Sequence, residues 1–369
     1  MTDHYQQALK QIIDTGNYRR LPTPRQVELN FSSNDYLGLS HNRQVIEAAY
    51  QAGLSNGIGA TGSRLLSGNY DLIEQLENQI ARDKNCEAAL VFATGFQANT
   101  SVLSALLSKQ PSLVFFDKLN HASLYQAVQN TDCTLVRYRP CDLNHLRDLL
   151  QKYAHDSSPK WIIAETVFGM DGLTVPLNDL KNLAEQHGAW LYLDEAHATG
   201  LYGSRGYGLS TTVDLPEKTI IMGTFSKAIG VSGAYIACPQ TIKSYLINYT
   251  PGFIYSTAPS PMVIGGVVKA WDLIPTLNQE RQRIHRLSDY ARQKLSDLTV
   301  LGTQTNIIPI IIGDPLRVME IKDRLLANEI SVSAIRFPTV PKHSDRLRLA
   351  ITAHHTQDDI DRVVKELSQ

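Results

Sequence analysis

The sequence predicts an α/β protein, with a large domain built on a mostly parallel sheet and a smaller C-terminal α/β domain. Three observations carry this. Short apolar runs alternate with helical patterns from about residue 41 to 256, at Ala88–Phe92, Leu113–Phe116, Thr134–Tyr138, Trp161–Ala164, Trp190–Leu193, Thr219–Met222 and Gly233–Ala237. These runs lack polar alternation, which is how strands covered on both faces read, and such strands belong to the parallel sheet of a doubly wound domain. A strongly charged helical stretch, Asn278-Gln279-Glu280-Arg281-Gln282-Arg283, then leads into a second set of strands and helices.

In chain order, residues 1–28 hold a short polar helical pattern and a connector, Leu21-Pro22-Thr23-Pro24, before the strand-like Glu28-Leu29-Asn30-Phe31. Residues 1–40 are therefore expected to be an N-terminal arm, 41–258 the large domain, and 259–369 the small domain with its linking helix. In the last of these, strands are expected at Ile307–Ile312, Ile330–Ile335 and Arg346–Thr352, with a helix near Leu316–Asn328. A final helix starts at Gln357, introduced by the capping-box pattern Thr356-x-x-Asp359.

Composition excludes several classes of function. Of 369 residues, 43% are hydrophobic and 19% charged, which rules out a disordered chain. Thirty-five Lys and Arg against 36 Asp and Glu leave a net charge of -1, so no global basic field exists to hold nucleic acid or an anionic membrane. Ligands must be recognised locally. Cys86, Cys133, Cys141 and Cys238 form no CxxC pair and no zinc spacing, so no metal site is expected and a reducing cytoplasm fits best. The first residues lack a signal-peptide pattern and no apolar run is long enough to span a bilayer.

Two motifs mislead. Gly57-Ile58-Gly59-Ala60-Thr61-Gly62 matches the GxGxxG dinucleotide fingerprint, but a helical pattern precedes it where a strand is required. Asp194-Glu195-Ala196-His197 spells a helicase box, yet no phosphate-binding G-x-x-x-x-G-K-[ST] loop accompanies it.

The strand ends are more informative, because ligands of open α/β sheets sit beyond the carboxyl ends of the strands. Those ends carry Thr94-Gly95-Phe96, Asn120-His121, Glu165, Asp194 with His197, and Gly223-Thr224-Phe225-Ser226-Lys227. Thr94-Gly95-Phe96 opens a helical pattern over Gln97–Leu107, and a helix N-terminus suits a phosphate. Alone, Lys227 is most simply a surface lysine. With hydroxyls at Thr224 and Ser226 to grip an anion, and Asp194 to pair a protonated ring nitrogen, it completes a pyridoxal 5'-phosphate (PLP) site.

From about Asn30 onward the sequence resembles the α-oxoamine synthases, fold-type-I PLP enzymes that condense an amino acid with an acyl thioester and release carbon dioxide. The resemblance is carried by Asn30-Phe31-Ser32-Ser33-Asn34-Asp35-Tyr36-Leu37-Gly38, Gly62-Ser63-Arg64, Asn120-His121-Ala122-Ser123, Asp194 with His197, and Gly223-Thr224-Phe225-Ser226-Lys227. Tyr255-Ser256-Thr257, Ala334-Ile335-Arg336-Phe337-Pro338-Thr339-Val340-Pro341 and Leu347-Arg348-Leu349 extend it. It implies a fold-type-I PLP-dependent transferase in which Lys227 carries the cofactor and moves protons at Cα, Asp194 binds the pyridinium nitrogen, His197 reaches the ring oxygen and His121 stacks on the ring. It also implies a phosphate site at Gly95, Phe96 and Thr224, with Thr257 reaching the cofactor of the other subunit of a homodimer.

For substrates the resemblance implies L-alanine and a pimeloyl thioester, pimeloyl-CoA or pimeloyl-acyl carrier protein, as in the biotin-forming branch, which Ala334-Ile335-Arg336 favours. Sister enzymes that use glycine or serine with another acyl-CoA, a non-catalytic synthase subunit and an aminotransferase are the alternatives. Asn34 and Arg348 are the expected carboxylate contacts; because Arg346, Arg348, Ala350 and Thr352 share one strand face, the sequence leaves Arg346 or Arg348 as the clamp. Arg20 is expected to hold the acyl substrate, although the arm from Arg19-Arg20 to Asn30 is shorter than in typical members. Where the family usually reads Val-Phe-Ser-Met-Asp-Gly-Asp, this chain has Val167-Phe168-Gly169-Met170-Asp171-Gly172-Leu173, without the hydroxyl near the ring and the acid beyond it.

Overall fold

A computed structural model describes residues 2–15, 17–21, 27–302 and 305–368. Residues 22–24 of the expected connector lie outside these. The chain forms two compact units: a small one of Met1–Asn34, Met170–Gly172 and Gln282–Gln369, and a large one of Asp35–Gly169 and Leu173–Arg281. This division differs from the expected 1–40, 41–258 and 259–369, and two packing contacts explain the difference.

First, the N-terminal segment is no separate arm. Its strand β1 (Leu29–Asn30) pairs in parallel with a later strand of the small unit, and Phe31 stacks on His355 with ring centroids 4.1 Å apart. Second, the helix Pro261–Leu273 belongs to the large unit. It lies so close to the helix Arg43–Asn56 that a Cβ on Gly265 would stand 2.3 Å from the Ala52 Cβ. The helical stretch expected over 259–300 breaks after Leu273 into a 3-10 turn, Ile274–Thr276, before the helix Asn278–Lys294. Pro275 has no N–H to continue the helical ladder.

The large unit holds the strands β2 (Ala88–Phe92), β3 (Leu113–Asp117), β4 (Thr134–Tyr138), β5 (Lys160–Glu165), β6 (Trp190–Asp194), β7 (Thr219–Thr224) and β8 (Ala234–Cys238). They form one sheet of order β2-β8-β7-β6-β5-β3-β4, parallel except for β8, which runs antiparallel to both neighbours. Alternate residues feed opposite cores, as the two-residue period of a strand requires. Val114, Phe116 and Ile163 pack on one face with Ala98 and Val102, while Leu113, Phe115 and Ile162 pack on the other with Leu146 and Leu180. Each such fully buried side chain contributes roughly 1.5–3 kcal/mol, which is why the runs read as continuously apolar.

The small unit holds β9 (Ile307–Ile311), β10 (Ile330–Ser331), β11 (Ser333–Ile335) and β12 (Arg346–Ala350). β10 pairs with β1, and an antiparallel sheet runs β11-β12-β9, so the single strand expected over 330–335 is shared between two sheets. Its last helix, Gln357–Leu367, carries the full capping box: the Asp359 N–H donates to Thr356 Oγ1 at 3.2 Å and the Thr356 N–H donates to Asp359 Oδ2 at 2.8 Å. Among the described residues no helix is long and apolar enough to cross a membrane.

Candidate active site

At the carboxyl ends of the parallel strands of the large unit lies a cavity of about 250 Å³. It gathers Thr94, Gly95 and Phe96 after β2, His121 after β3, Glu165 at the end of β5, Asp194 and His197 at the end of β6, and Thr224 and Lys227 at the end of β7. Residues far apart in the chain meet here because each strand delivers its terminal residues to the same edge of the sheet.

Asp194 is buried at 4% exposure and held from two sides: Asn99 Nδ2 donates to Oδ2 at 2.9 Å and the Ala196 N–H donates to Oδ1 at 2.9 Å. Asn99 itself accepts from the Tyr192 hydroxyl at 2.8 Å and donates to Ser123 Oγ at 2.9 Å. Ser123 Oγ shares a 2.8 Å hydrogen bond with His121 Nδ1, which also accepts the Ser123 N–H and so caps the helix Ala122–Gln129. One network thus fixes both the carboxylate and the imidazole. Burial, with a push from Lys227, lowers the His121 pKa against the pull of Asp194, which favours a neutral ring.

The helix Gly95–Leu107 is capped by Thr94, whose hydroxyl accepts the Gln97 N–H at 3.1 Å, and its first residues, Gly95 and Phe96, line the cavity. A Cβ on Gly95 would stand 3.7 Å from Thr224, in ordinary contact. Thr224 Oγ1 donates to the Gly233 carbonyl and shares a 2.9 Å hydrogen bond with Ser226 Oγ. Hydroxyls and a helix N-terminus form the cradle a phosphate group needs, and a buried carboxylate and a lysine stand beyond it. The residues present fit PLP.

His197 is anchored through Nδ1 to the Tyr36 hydroxyl at 2.8 Å. The glycine in place of the family's serine has a structural counterpart: a Cβ on Gly169 would come within 2.1 Å of His197 Nε2. The imidazole fills the space a serine side chain would need.

Thr257 does not line this cavity; it is exposed and forms an isolated antiparallel bridge with Ser63. The remaining expected site residues belong to the small unit. Arg346 and Arg348 lie on β12, the central strand of its sheet, exposed at only 2% and 3%. Arg346 is committed to its own unit: Nη1 donates to Asp171 Oδ1 at 2.7 Å and to the Met170 carbonyl, and Nε donates to the Ser344 carbonyl. Arg348 Nη2 donates to Asn34 Oδ1 at 3.2 Å, joining the two expected carboxylate contacts. Arg20 is exposed, its guanidinium carbon 5.6 Å from the Tyr18 ring centroid.

Asn99 and Tyr192 escaped sequence reasoning, and Glu165 was seen only as a strand end. Asn99 did leave a signal, because an asparagine inside an otherwise apolar helix needs a partner.

Comparison with known proteins agrees with this geometry. Residues 26–367 match the family model of the class I and II aminotransferases. An 8-amino-7-oxononanoate synthase from Gluconacetobacter diazotrophicus is 42% identical over 347 residues, covering 92% of this chain and 87% of that protein. The crystal structure of an 8-amino-7-oxononanoate synthase from Francisella tularensis aligns with a TM-score of 0.80 at 27% identity, covering 92% of this chain and 96% of that one. A serine palmitoyltransferase from S. paucimobilis, solved with a bound PLP–myriocin aldimine, aligns with a TM-score of 0.88 at 25% identity, covering 99% and 96%.

Proposed function

Because this chain belongs to the α-oxoamine synthases within the class I and II aminotransferase family, we propose that it condenses L-alanine with a pimeloyl thioester, of CoA or acyl carrier protein. The reaction gives 8-amino-7-oxononanoate, carbon dioxide and the free thiol. One observation carries the chemistry: Lys227, Asp194, His121 and the N-terminus of the helix at Gly95 and Phe96 line a single cavity. The choice of substrates is supported by 42% identity over nine-tenths of the chain to a protein of that name.

When bound, PLP supplies an electron sink through its protonated ring nitrogen. In the proposed roles Asp194 keeps that nitrogen protonated, its carboxylate held in place by the donors of Asn99 and Ala196. Gly95, Phe96 and Thr224 hold the phosphate, His121 covers one face of the ring, and His197 is presented to the ring oxygen by Tyr36. Lys227 anchors the cofactor and then takes and returns the proton at the alanine Cα. Arg348, oriented by Asn34, is the carboxylate clamp in place of Arg346, whose guanidinium already holds Asp171. Arg20 is assigned to the acyl substrate. The proposal includes a homodimer in which Thr257 serves the partner's cofactor, and a cytoplasmic setting.

Replacing Lys227 by Ala should abolish both the absorbance of the lysine-bound cofactor and turnover; full turnover without it would sink the proposal. Offering L-alanine, glycine or L-serine with pimeloyl, acetyl or palmitoyl thioesters, and identifying products by mass, decides the substrates. A serine–palmitoyl product would select the reading that the similarity to serine palmitoyltransferase raises.

A further inference from the structure

Beside Asp194 stands a second carboxyl group to which neither the resemblance nor the proposed reaction gives a role. Glu165 ends β5 as Asp194 ends β6, and the two are register partners in neighbouring parallel strands, so their side chains leave the sheet on the same side. Both are buried, at 5% and 4% exposure, and both line the cavity that fits PLP. We propose that Glu165 faces this cavity as a protonated carboxylic acid, so that only Asp194 is charged, and that this single charge lets the site accept an anionic, phosphate-bearing ring.

The donors differ in kind and distance. Asp194 takes a side-chain amide and a backbone N–H at 2.9 Å each, whereas Glu165 takes backbone N–H groups, that of Gly169 at 3.3 Å and that of His121. Two carboxyls side by side in a poorly solvated cavity do not both ionise, and the better-solvated one keeps the charge. The other titratable groups around Glu165 do not reverse this. Lys227, after β7, favours its charged form, but Lys227 also faces Asp194; His121, after β3, is pushed toward neutrality; and His197 lies against Gly169. Burial first, and Asp194 second, push the Glu165 carboxyl up to about 8, against Lys227 and the N–H groups of Gly169 and His121.

The charge balance then makes sense of the ligand. With Glu165 neutral, Lys227 and Asp194 offset each other and the helix N-terminus at Gly95 is left to the phosphate. With Glu165 ionised, the cavity would present a net negative charge to an anion. The inference rests on the cofactor, not on the amino acid or thioester, so it stands or falls separately from the proposed reaction.

The test is binding of 4′-deoxypyridoxine 5′-phosphate, which lacks the aldehyde and cannot bond to Lys227, to the apoenzyme between pH 7 and 9.5. Titration of the analogue itself affects wild type and Glu165→Gln alike, so the ratio of their affinities isolates Glu165. Wild type should lose affinity relative to Glu165→Gln by about tenfold per pH unit above about 8, the slope of one linked proton. A constant ratio across the range would overturn the proposal. A measurement on the wild type alone guards against a variant that fails to fold: infrared spectra of apoenzyme labelled with ¹³C at the glutamate carboxyls. The stretch of a protonated glutamic acid should be present at pH 7 and gone by pH 9.5, and its absence at pH 7 would equally overturn the proposal.

Discussion

Two clusters of buried charge hang on the same turn, from adjacent residues. Asp194 faces the 250 Å³ cavity with Lys227 and Glu165. Glu195 pairs instead with Lys84 Nζ at 2.5 Å, both side chains fully buried, and also accepts from the Ser210 N–H and hydroxyl. Burial alone would depress the Lys84 ammonium, but attraction and hydrogen bonding from Glu195, aided by Tyr235, more than offset it and raise its pKa. Even the backbone closes around this pair: Gly208 has φ +106, and a Cβ there would stand 2.3 Å from Glu195 Oε2. A larger cavity, about 350 Å³, adjoins Lys84 near the amino end of β7. Size therefore misdirects. What marks the functional cluster is unlike groups aimed into one space; the Lys84–Glu195 cluster spends its charge on itself.

The sharpest way to break that contrast is Lys84→Met. A buried Glu195 without its cation should cost ~3–5 kcal/mol of stability, read by urea unfolding of the apoenzyme. Adding Glu195→Gln, which keeps an acceptor for Ser210 and removes the charge, should recover more than half of the loss. The cofactor spectrum of the double variant should match wild type. If it moves while stability does not, the two clusters act as one.

The turn also shows what the sequence could and could not reveal. Seven apolar runs located the seven strands of the large sheet to within two residues at each end; six are almost wholly buried and leave little ambiguity of pattern, and the edge strand β4, with Thr134 and Arg137 exposed, still reads from Leu135, Val136 and Tyr138. The cavity residues were legible wherever chemistry clusters at strand ends: Lys227, Asp194, His197, His121 and Thr224. Domain limits were less legible, since Gly265 and Pro275 look alike as helix irregularities but one cements a helix pair and the other ends a helix. The different fates of Arg346 and Arg348 were invisible, for they share one strand face, and only the tertiary position of Asp171 distinguishes them. The role of Glu195 was equally hidden, because its partner Lys84 lies 111 residues away.

A second buried group held off its usual form extends the comparison to the small unit. His355 stacks on Phe31 and accepts the Thr352 N–H at 3.0 Å; burial chiefly, with Arg283 and His354 adding to it, pushes it down to about 4 despite Asp359 and the Asn30 backbone. Its neutral ring is compatible with folding above pH 6.5, and the unfolded chain binds the extra proton between 6.5 and 4. Stability is thus lost as pH falls through that window, by about 3 kcal/mol. Glu165 has the opposite sign: its raised pKa costs stability as pH rises from about 4.5 toward 8. Because the Glu165 contribution is common to both proteins and cancels in their difference, denaturant unfolding at pH 7, 5.5 and 4.5 should show wild type losing stability relative to His355→Gln as pH falls. A difference that does not change with pH would show that His355 is not the source of an acid loss.

The two arginines of β12 give the finest version of the contrast, since one is held by a carboxylate and the other by an amide. Arg346 is to Arg348 as Glu195 is to Asp194: one is bound to Asp171 and two carbonyls, the other leans on the neutral amide of Asn34. Asn34 orients the Arg348 guanidinium through a neutral amide, and in the proposed function it is this guanidinium that meets the alanine carboxylate. Arg348→Lys retains the charge but loses the planar fork, and should raise the alanine KM by ~10–100-fold, about 2 kcal/mol, with a smaller effect on kcat. Arg346→Lys should instead lower stability and leave KM near wild type. A rise in KM confined to Arg346→Lys would reverse the assignment, and the salt bridge to Asp171 would then have to open for substrate to bind.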